Sequence, residues 1–193
     1  MMHPNLPEVL RSRLHPPDHC SQSTDGERCA AVLLALWDES EKWHLLLTRR
    51  TKTVREHKGQ VAFPGGGVEE NDRTRTDTAL REAHEEIGLC PDDVTVLGCL
   101  SPCSTVTGWH ITPVVAIIPQ AYPFQFNCRE IEAIFPVPLK WLANQKNLTK
   151  HPYTDPRDGT AQSAFYFLPY DRHVIWGASA RITLALLEKA EMR

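Results

Sequence analysis

Two patterns of apolar residues run along this chain, short strand-like apolar runs on either side and a helical stripe between them. Cys29-Ala-Ala-Val-Leu-Leu-Ala-Leu-Trp37, a polar turn at 38–42 and a second apolar run at 43–48 predict a hairpin of two central strands. Residues 59–63 read as a short strand, stopped by Pro64 and by Gly65-Gly66-Gly67, a triplet that regular elements disfavour because glycine loses the most backbone entropy on folding. Residues 74–87 form the clearest helical pattern: Leu80, Ala83 and Ile87 share a stripe, Asp72 is the expected N-cap and Gly88 stands where a left-handed C-cap belongs. Beyond it the pattern predicts strands at 94–100 and 111–118, a Pro-rich passage, a short helix at 139–144, strands near 165–168 and 173–176, and a closing helix at 178–192. Strands before and after a central helix predict an α/β fold with a mixed β-sheet and helices on its faces. Residues 1–28, with Pro4, Pro7, Pro16 and Pro17, are expected to form a peripheral arm with a short helix at 8–14, leaving 29–193 as a single domain.

Composition narrows the function. A chain of 193 residues, 41% hydrophobic and 23% charged, suits one ordinary globular domain that needs no disulfide or structural metal. Twenty-one Lys and Arg against 24 Asp and Glu give a net charge of −3, which supplies no global basic field for nucleic acid. The longest apolar run has nine residues, about half of the roughly 20 needed to span a membrane. The first 13 residues lack the apolar stretch of a secretory signal, so a cytoplasmic protein is expected. Six cysteines form no CxxC pair and are expected to be free thiols.

The chemistry concentrates in Arg81-Glu82-Ala83-His84-Glu85-Glu86-Ile87-Gly88. At about 100° per residue, Glu85 lies about 60° to one side of Glu82 and Glu86 about 40° to the other, so three carboxylates share an arc distinct from the apolar stripe. Acids so close repel unless a cation compensates them, and hard divalent ions that work with phosphates take carboxylate oxygens. In isolation the same stretch reads as a solvated acidic face. His84 points away from the acids and is expected to be exposed.

The surrounding sequence changes that balance. The glycine triplet followed by Arg81-Glu82-x-x-Glu85-Glu86-x-Gly88-Leu89 closely resembles the Nudix hydrolase signature. The family's first glutamate falls at Arg73, with Asp72 beside it and Glu69 and Glu70 just before. Upstream, Leu46-Leu47-Thr48-x-Arg50, then Thr51, Arg55, Gly59 and Phe63-Pro64-Gly65-Gly66 resemble the coenzyme A pyrophosphatase branch of that family, with Thr51 where the branch usually has Ser or Ala. Glu130 to Leu139 is similar to the family's acidic loop before a PL-containing helix, and Ile175-Trp176-Gly177 to its WG turn.

The resemblance implies an α/β/α sandwich and a Mg²⁺- or Mn²⁺-dependent hydrolase that splits the pyrophosphate bond of coenzyme A or its thioesters into adenosine 3′,5′-bisphosphate and 4′-phosphopantetheine. It also implies roles. Glu82, Glu85 and Glu86 are the metal ligands. Glu85, Arg81 and Glu130 are the catalytic candidates, Arg81 by orienting a carboxylate and Glu130, slightly ahead of Glu132, as a loop acid. Arg50 and Arg55, with Gly65, Gly66 and Gly67, are the substrate-binding candidates, while Arg49, Lys52 and Lys58 read as solvated. Two alternatives remain open at this level: the same chemistry on ADP-ribose, NADH or a nucleoside triphosphate, and a nucleotide-sensing module without turnover. The oligomeric state stays open; an exposed apolar face on the first two strands would allow a homodimer.

Overall fold

The computed structural model describes residues 5–17, 28–51, 59–154 and 159–193. In chain order they form α1 (Leu6–Arg13), β1 (Arg28–Glu39), β2 (Lys42–Arg50), β3 (Val61–Ala62), β4 (Gly65–Gly67) and α2 (Arg75–Ile87). There follow β5 (Thr95–Cys99), β6 (Cys103–Ser104), β7 (Trp109–Ile117), β8 (Ile131–Pro138), α3 (Leu139–Ala143), β9 (Leu148–Thr154), β10 (Ala161–Phe167) and α4 (Gly177–Lys189). Among the described residues β1 to β8 build one mixed sheet, in which β1 and β7 run parallel and the other pairs antiparallel, while β9 and β10 form a separate two-stranded sheet.

Alternation along the central strands explains the layers. Leu34 and Leu36 of β1, Leu45 and Leu47 of β2 and Val115 of β7 enter one core with residues of α1, α3 and α4. Ala31, Leu33 and Ala35 of β1, Leu46 of β2, and Val114 and Ala116 of β7 enter a second core with Ala79, Ala83 and Ile87 of α2. A strand covered on both faces reads as a continuous apolar run, which is why residues 29–37 show no polar alternation. The result is the expected α/β/α sandwich. The apolar faces of β1 and β2 are packed against the chain's own helices.

Several expectations are corrected. Residues 5–15 are not peripheral: Leu6 and Leu10 of α1 are buried in the core, and His15 exchanges backbone hydrogen bonds with Cys99 of β5 at 3.0 and 2.9 Å. Burying each leucine contributes about 1.5–3 kcal/mol. The N-cap of α2 is Thr74, which accepts from the Asp77 amide while Asp77 returns the bond in a capping box. Asp72, two residues earlier, is engaged elsewhere. Gly88 is the left-handed C-cap, as expected, at φ 69°. The glycine triplet is a strand, pairing Gly65, Gly66 and Gly67 with Val32, Ala31 and Ala30. The passage at 131–138, read from its prolines as irregular, is β8; Pro136 and Pro138 are tolerated because β8 pairs with β2 alone. Residues 173–176 form isolated bridges instead of a strand, and β9 was not foreseen.

No helix among the described residues is long and apolar enough to cross a membrane. Cys29, Cys90, Cys99, Cys103 and Cys128 are free thiols.

Candidate functional site

The acidic helix α2 lies against β4, and this contact divides three carboxylates that the helical arc alone leaves equivalent. Glu86 is buried, its side chain 3% exposed, whereas Glu82 is 17% and Glu85 57% exposed. Arg50 Nη1 donates to Glu86 Oε1 at 3.0 Å, and the Gly65 amide donates to Oε2 at 3.1 Å. Burial pushes the Glu86 carboxyl up to about 7, against the pull of Arg50 and the Gly65 amide and with further push from Glu82 and Glu130. Glu82 is also raised by burial, opposed by Arg81. Its carboxylate fills the space that a side chain at Gly66 would need: a Cβ there would lie 2.4 Å from Glu82 Oε1.

Arg81 is the hub of the helix face. Its Nε and Nη2 grip the two oxygens of Asp72 at 3.1 and 3.0 Å, Nη2 donates to the Gly67 carbonyl at 2.9 Å, and Nη1 donates to Glu82 Oε1 at 2.9 Å and reaches Glu85 at 3.5 Å. A two-point guanidinium–carboxylate pair fixes orientation as well as charge. The Arg81 guanidinium, aided by the Glu69 amide and the Thr78 hydroxyl, holds the Asp72 carboxyl down at about 2. Arg73, at the position of the family's first glutamate, turns to solvent and pairs with Asp77 at 3.3 Å. The inward acid is Asp72, one residue earlier, which the sequence set beside Arg73 and offered as an N-cap; its grip on Arg81 is visible only in the fold.

Across from the helix, the end of β2 sends its last two residues in different directions. Arg50 goes to Glu86 and, through Nη2, to Glu130 at 3.9 Å, while Arg49 goes to Glu132 at 3.4 Å. The ladder between β2 and β8 steps from Arg49–Ala133 to Arg50–Ile131, leaving Glu132 as the extra residue of a β-bulge. Asn127, which sequence reasoning missed, donates its amide to the Glu86 carbonyl at 2.9 Å and its side chain to Glu130 at 3.1 Å, tying the loop acid to the helix. Arg50 Nε is buried without a hydrogen-bond partner. Thus Glu82, Glu86, Arg81, Arg50, Glu130 and the three glycines are brought together, and Glu85 stands at the exposed rim. Arg55, with Lys52 and Lys58, lies outside the described residues. His84 is exposed, as expected.

Carboxylate oxygens are the donors that Mg²⁺ and Mn²⁺ prefer. Among the described residues no three His, Cys, Asp or Glu side chains converge closely enough to hold an ion as they stand, and the carboxylates are engaged by Arg81 and Arg50. Two buried acids whose charge is disfavoured by their surroundings nevertheless make a site short of positive charge. In donor type and in charge, the set suits a divalent cation.

Residues 27–169 match the NUDIX domain. The chain is 38% identical over 184 residues to an uncharacterized Nudix hydrolase, NudL, of Photorhabdus laumondii, covering 95% of this chain and 96% of that protein. It is 40% identical over 163 residues to NudL of Cronobacter sakazakii, covering 84% and 82%. Among solved structures, a Nudix hydrolase of M. Smegmatis, RenU, is 25% identical with a TM-score of 0.51 over 61% of this chain and 74% of that one. A MutT/nudix family protein from Enterococcus faecalis shares the fold at a TM-score of 0.55 and 15% identity, covering 88% of this chain and 64% of that one.

Proposed function

The chain belongs to the Nudix hydrolase family, whose members act on nucleotide-derived substrates, and on that premise we propose that it hydrolyses the pyrophosphate bond of coenzyme A or its thioesters in a cytoplasmic setting. What carries this assignment is one contact. Arg50, the arginine of the Leu46-Leu47-Thr48-x-Arg50 segment, bonds to Glu86 of the acidic helix at 3.0 Å, so the segment that resembles the coenzyme A branch is joined to the reacting centre. The products are adenosine 3′,5′-bisphosphate and 4′-phosphopantetheine.

Glu82, Glu85 and Glu86 would hold Mg²⁺ or Mn²⁺, with Glu130 as the further acid from the loop. Such an ion supplies neutralisation of the diphosphate and a more acidic attacking water. The chain's own residues do the positioning. Arg81, clamped by Asp72 and by the Gly67 carbonyl, fixes the Glu82 carboxylate. The Gly65 amide fixes Glu86, and Gly66 leaves room for Glu82. Arg50 balances Glu86 and presents positive charge where a diphosphate would bind, and Arg55 is assigned to the same anion by its place in the segment. Arg81 is therefore a positioning residue, while Glu85 and Glu130, the two more exposed acids, are assigned contact with water or cation.

The test is product analysis after incubation with Mg²⁺ and, separately, coenzyme A, ADP-ribose, NADH and a nucleoside triphosphate, with Glu86→Gln as control. Preferential metal-dependent cleavage of coenzyme A, lost in the variant, supports the assignment. Faster cleavage of another diphosphate would keep the helix roles and overturn the substrate. Binding of a nucleotide by folded protein without any turnover would overturn the enzymatic role in favour of a sensor.

A further inference from the structure

Arg49, facing away from the acidic helix, opens onto a second basic cluster that the reaction above leaves unused. Together with Arg172, His173, Trp176, Gly59 and Val61 it lines a cavity of about 200 Å³. Four features give this cavity the character of an anion site.

First, Arg172 makes no salt bridge among the described residues, and the acid facing Arg49 is Glu132, itself 46% exposed. Second, Arg172 is carried on a two-residue turn in which Asp171 and Arg172 both take left-handed backbone conformations, φ 42° and 64°, closed by reciprocal Tyr170–His173 hydrogen bonds of 2.9 Å. Such turns ordinarily use Asn-Gly, so a charged side chain is held here against the backbone's preference. Third, His173 is 7% exposed, stacks on Phe135 at 3.9 Å, and leaves Nδ1 buried without a hydrogen-bond partner. Burial first, and the positive charge of Arg49 next, hold its pKa below the usual imidazole value, with Arg172 adding to them and Asp171 and Glu132 opposing. Fourth, Trp176 is the N-cap residue of α4 with no side-chain cap, so the positive end of a 13-residue helix begins at the cavity wall.

We propose that this cavity binds a phosphate monoester, carried by the substrate at a distance from the diphosphate that is cleaved. The proposal rests on the coenzyme A assignment, because the 3′-phosphate of coenzyme A is such a group. A monoester bears close to two negative charges at neutral pH, which suits two guanidinium groups and a helix N-terminus better than a singly charged diester would. Arg49 and Arg50 are consecutive residues of β2, so the cavity and the acidic helix meet at one strand end. In this arrangement Arg50 belongs to cleavage and Arg49 and Arg172 to selection.

The experiment titrates inorganic phosphate, AMP and adenosine 3′,5′-bisphosphate into the intact protein by calorimetry, and compares steady-state cleavage of coenzyme A and dephospho-coenzyme A, for wild type, Arg172→Gln and Arg172→Gly. The bisphosphate is expected to bind about tenfold or more tightly than AMP, as one charge-assisted contact warrants, and both variants are expected to bring that ratio to within about twofold. Weak binding of inorganic phosphate should fall in parallel. Arg172→Gly relaxes the left-handed position and is expected to raise Tm by about 2–4 °C, so loss of selectivity in that variant cannot come from unfolding. Equal affinity for AMP and the bisphosphate, or a ratio unchanged in the variants, overturns the proposal. If coenzyme A is cleaved no better than dephospho-coenzyme A, with Arg172 indifferent, the substrate assignment stands and the cavity assignment falls. If coenzyme A is not cleaved but the bisphosphate preference depends on Arg172, the cavity assignment stands and the substrate assignment falls.

Discussion

Replacing Asp72 with Asn tests whether a buried ion pair underlies the geometry of the acidic helix. The Asp72 side chain is 5% exposed, accepts four hydrogen bonds from Arg81, Thr78 and the Glu69 amide, and titrates at about 2 instead of 3.8. That difference amounts to about 2 kcal/mol of stability tied to its charge. Because the folded value is depressed, this stability is fully present above pH 3.8 and is lost as the pH falls through about 2. Arg81 stays protonated throughout and adds no pH dependence of its own. Urea denaturation of wild type and Asp72→Asn, followed by circular dichroism, should therefore differ by about 2 kcal/mol at pH 7, equivalent to about 4–8 °C in Tm for a chain of this size. The two should converge as the pH is lowered toward 2. A difference that is already absent at pH 7, or that persists undiminished at pH 2, would refute the charged clamp and reduce Asp72 to a neutral hydrogen-bond acceptor.

Three further outcomes follow from the same geometry. Gly66→Ala places a methyl 2.4 Å from Glu82 Oε1 and is expected to lower kcat by about 100-fold through a displaced carboxylate, with an unchanged circular dichroism spectrum; near-normal kinetics would contradict the contact. Glu86→Gln should stabilise the metal-free protein at pH 8 while abolishing metal-dependent activity. The buried Glu86 carboxyl is raised from 4.5 to about 7, so its contribution is intact below 4.5 and some 3 kcal/mol is lost as the pH rises through 7, a pH dependence that the neutral variant lacks in paired thermal melts at pH 5 and pH 8. Leu10→Ala removes a side chain of zero exposure and should cost about 2–5 kcal/mol in urea denaturation; a loss below about 0.5 kcal/mol would mean that α1 is not integral to the core.

The central helix was legible because its stripe, its C-cap glycine and its acids are all local signals. Its N-cap was misplaced because Asp72 and Thr74 are equally good capping residues, and only the reach of Arg81 back across the loop decides between them. The arc of Glu82, Glu85 and Glu86 was correctly placed on one side, yet a helical wheel carries no information about what faces it. The glycine strand β4 covers Glu82 and Glu86 and leaves Glu85 at the rim. Strand β8 was hidden by prolines whose missing donors matter little at a sheet edge, and β9 by its polar, largely exposed sequence. The short helix of the arm was legible, but the prolines around it made it read as peripheral, although Leu6 and Leu10 already stand four apart on one face. Arg172, His173 and Trp176 lie more than a hundred residues beyond Arg49, and the WG turn at Trp176 carries no sign of what it faces, so only the fold could bring them to it.

The bulge at Glu132 bears on how this protein can diverge. Because the ladder slips there, the two final arginines of β2 answer to separate acids on β8, and a substitution at 49, 132 or 172 can be sampled by descent without disturbing the row formed by Arg50, Glu86 and the Gly65 amide. Lineages carrying the same fold thus have a way to exchange the group they select while inheriting the bond they break.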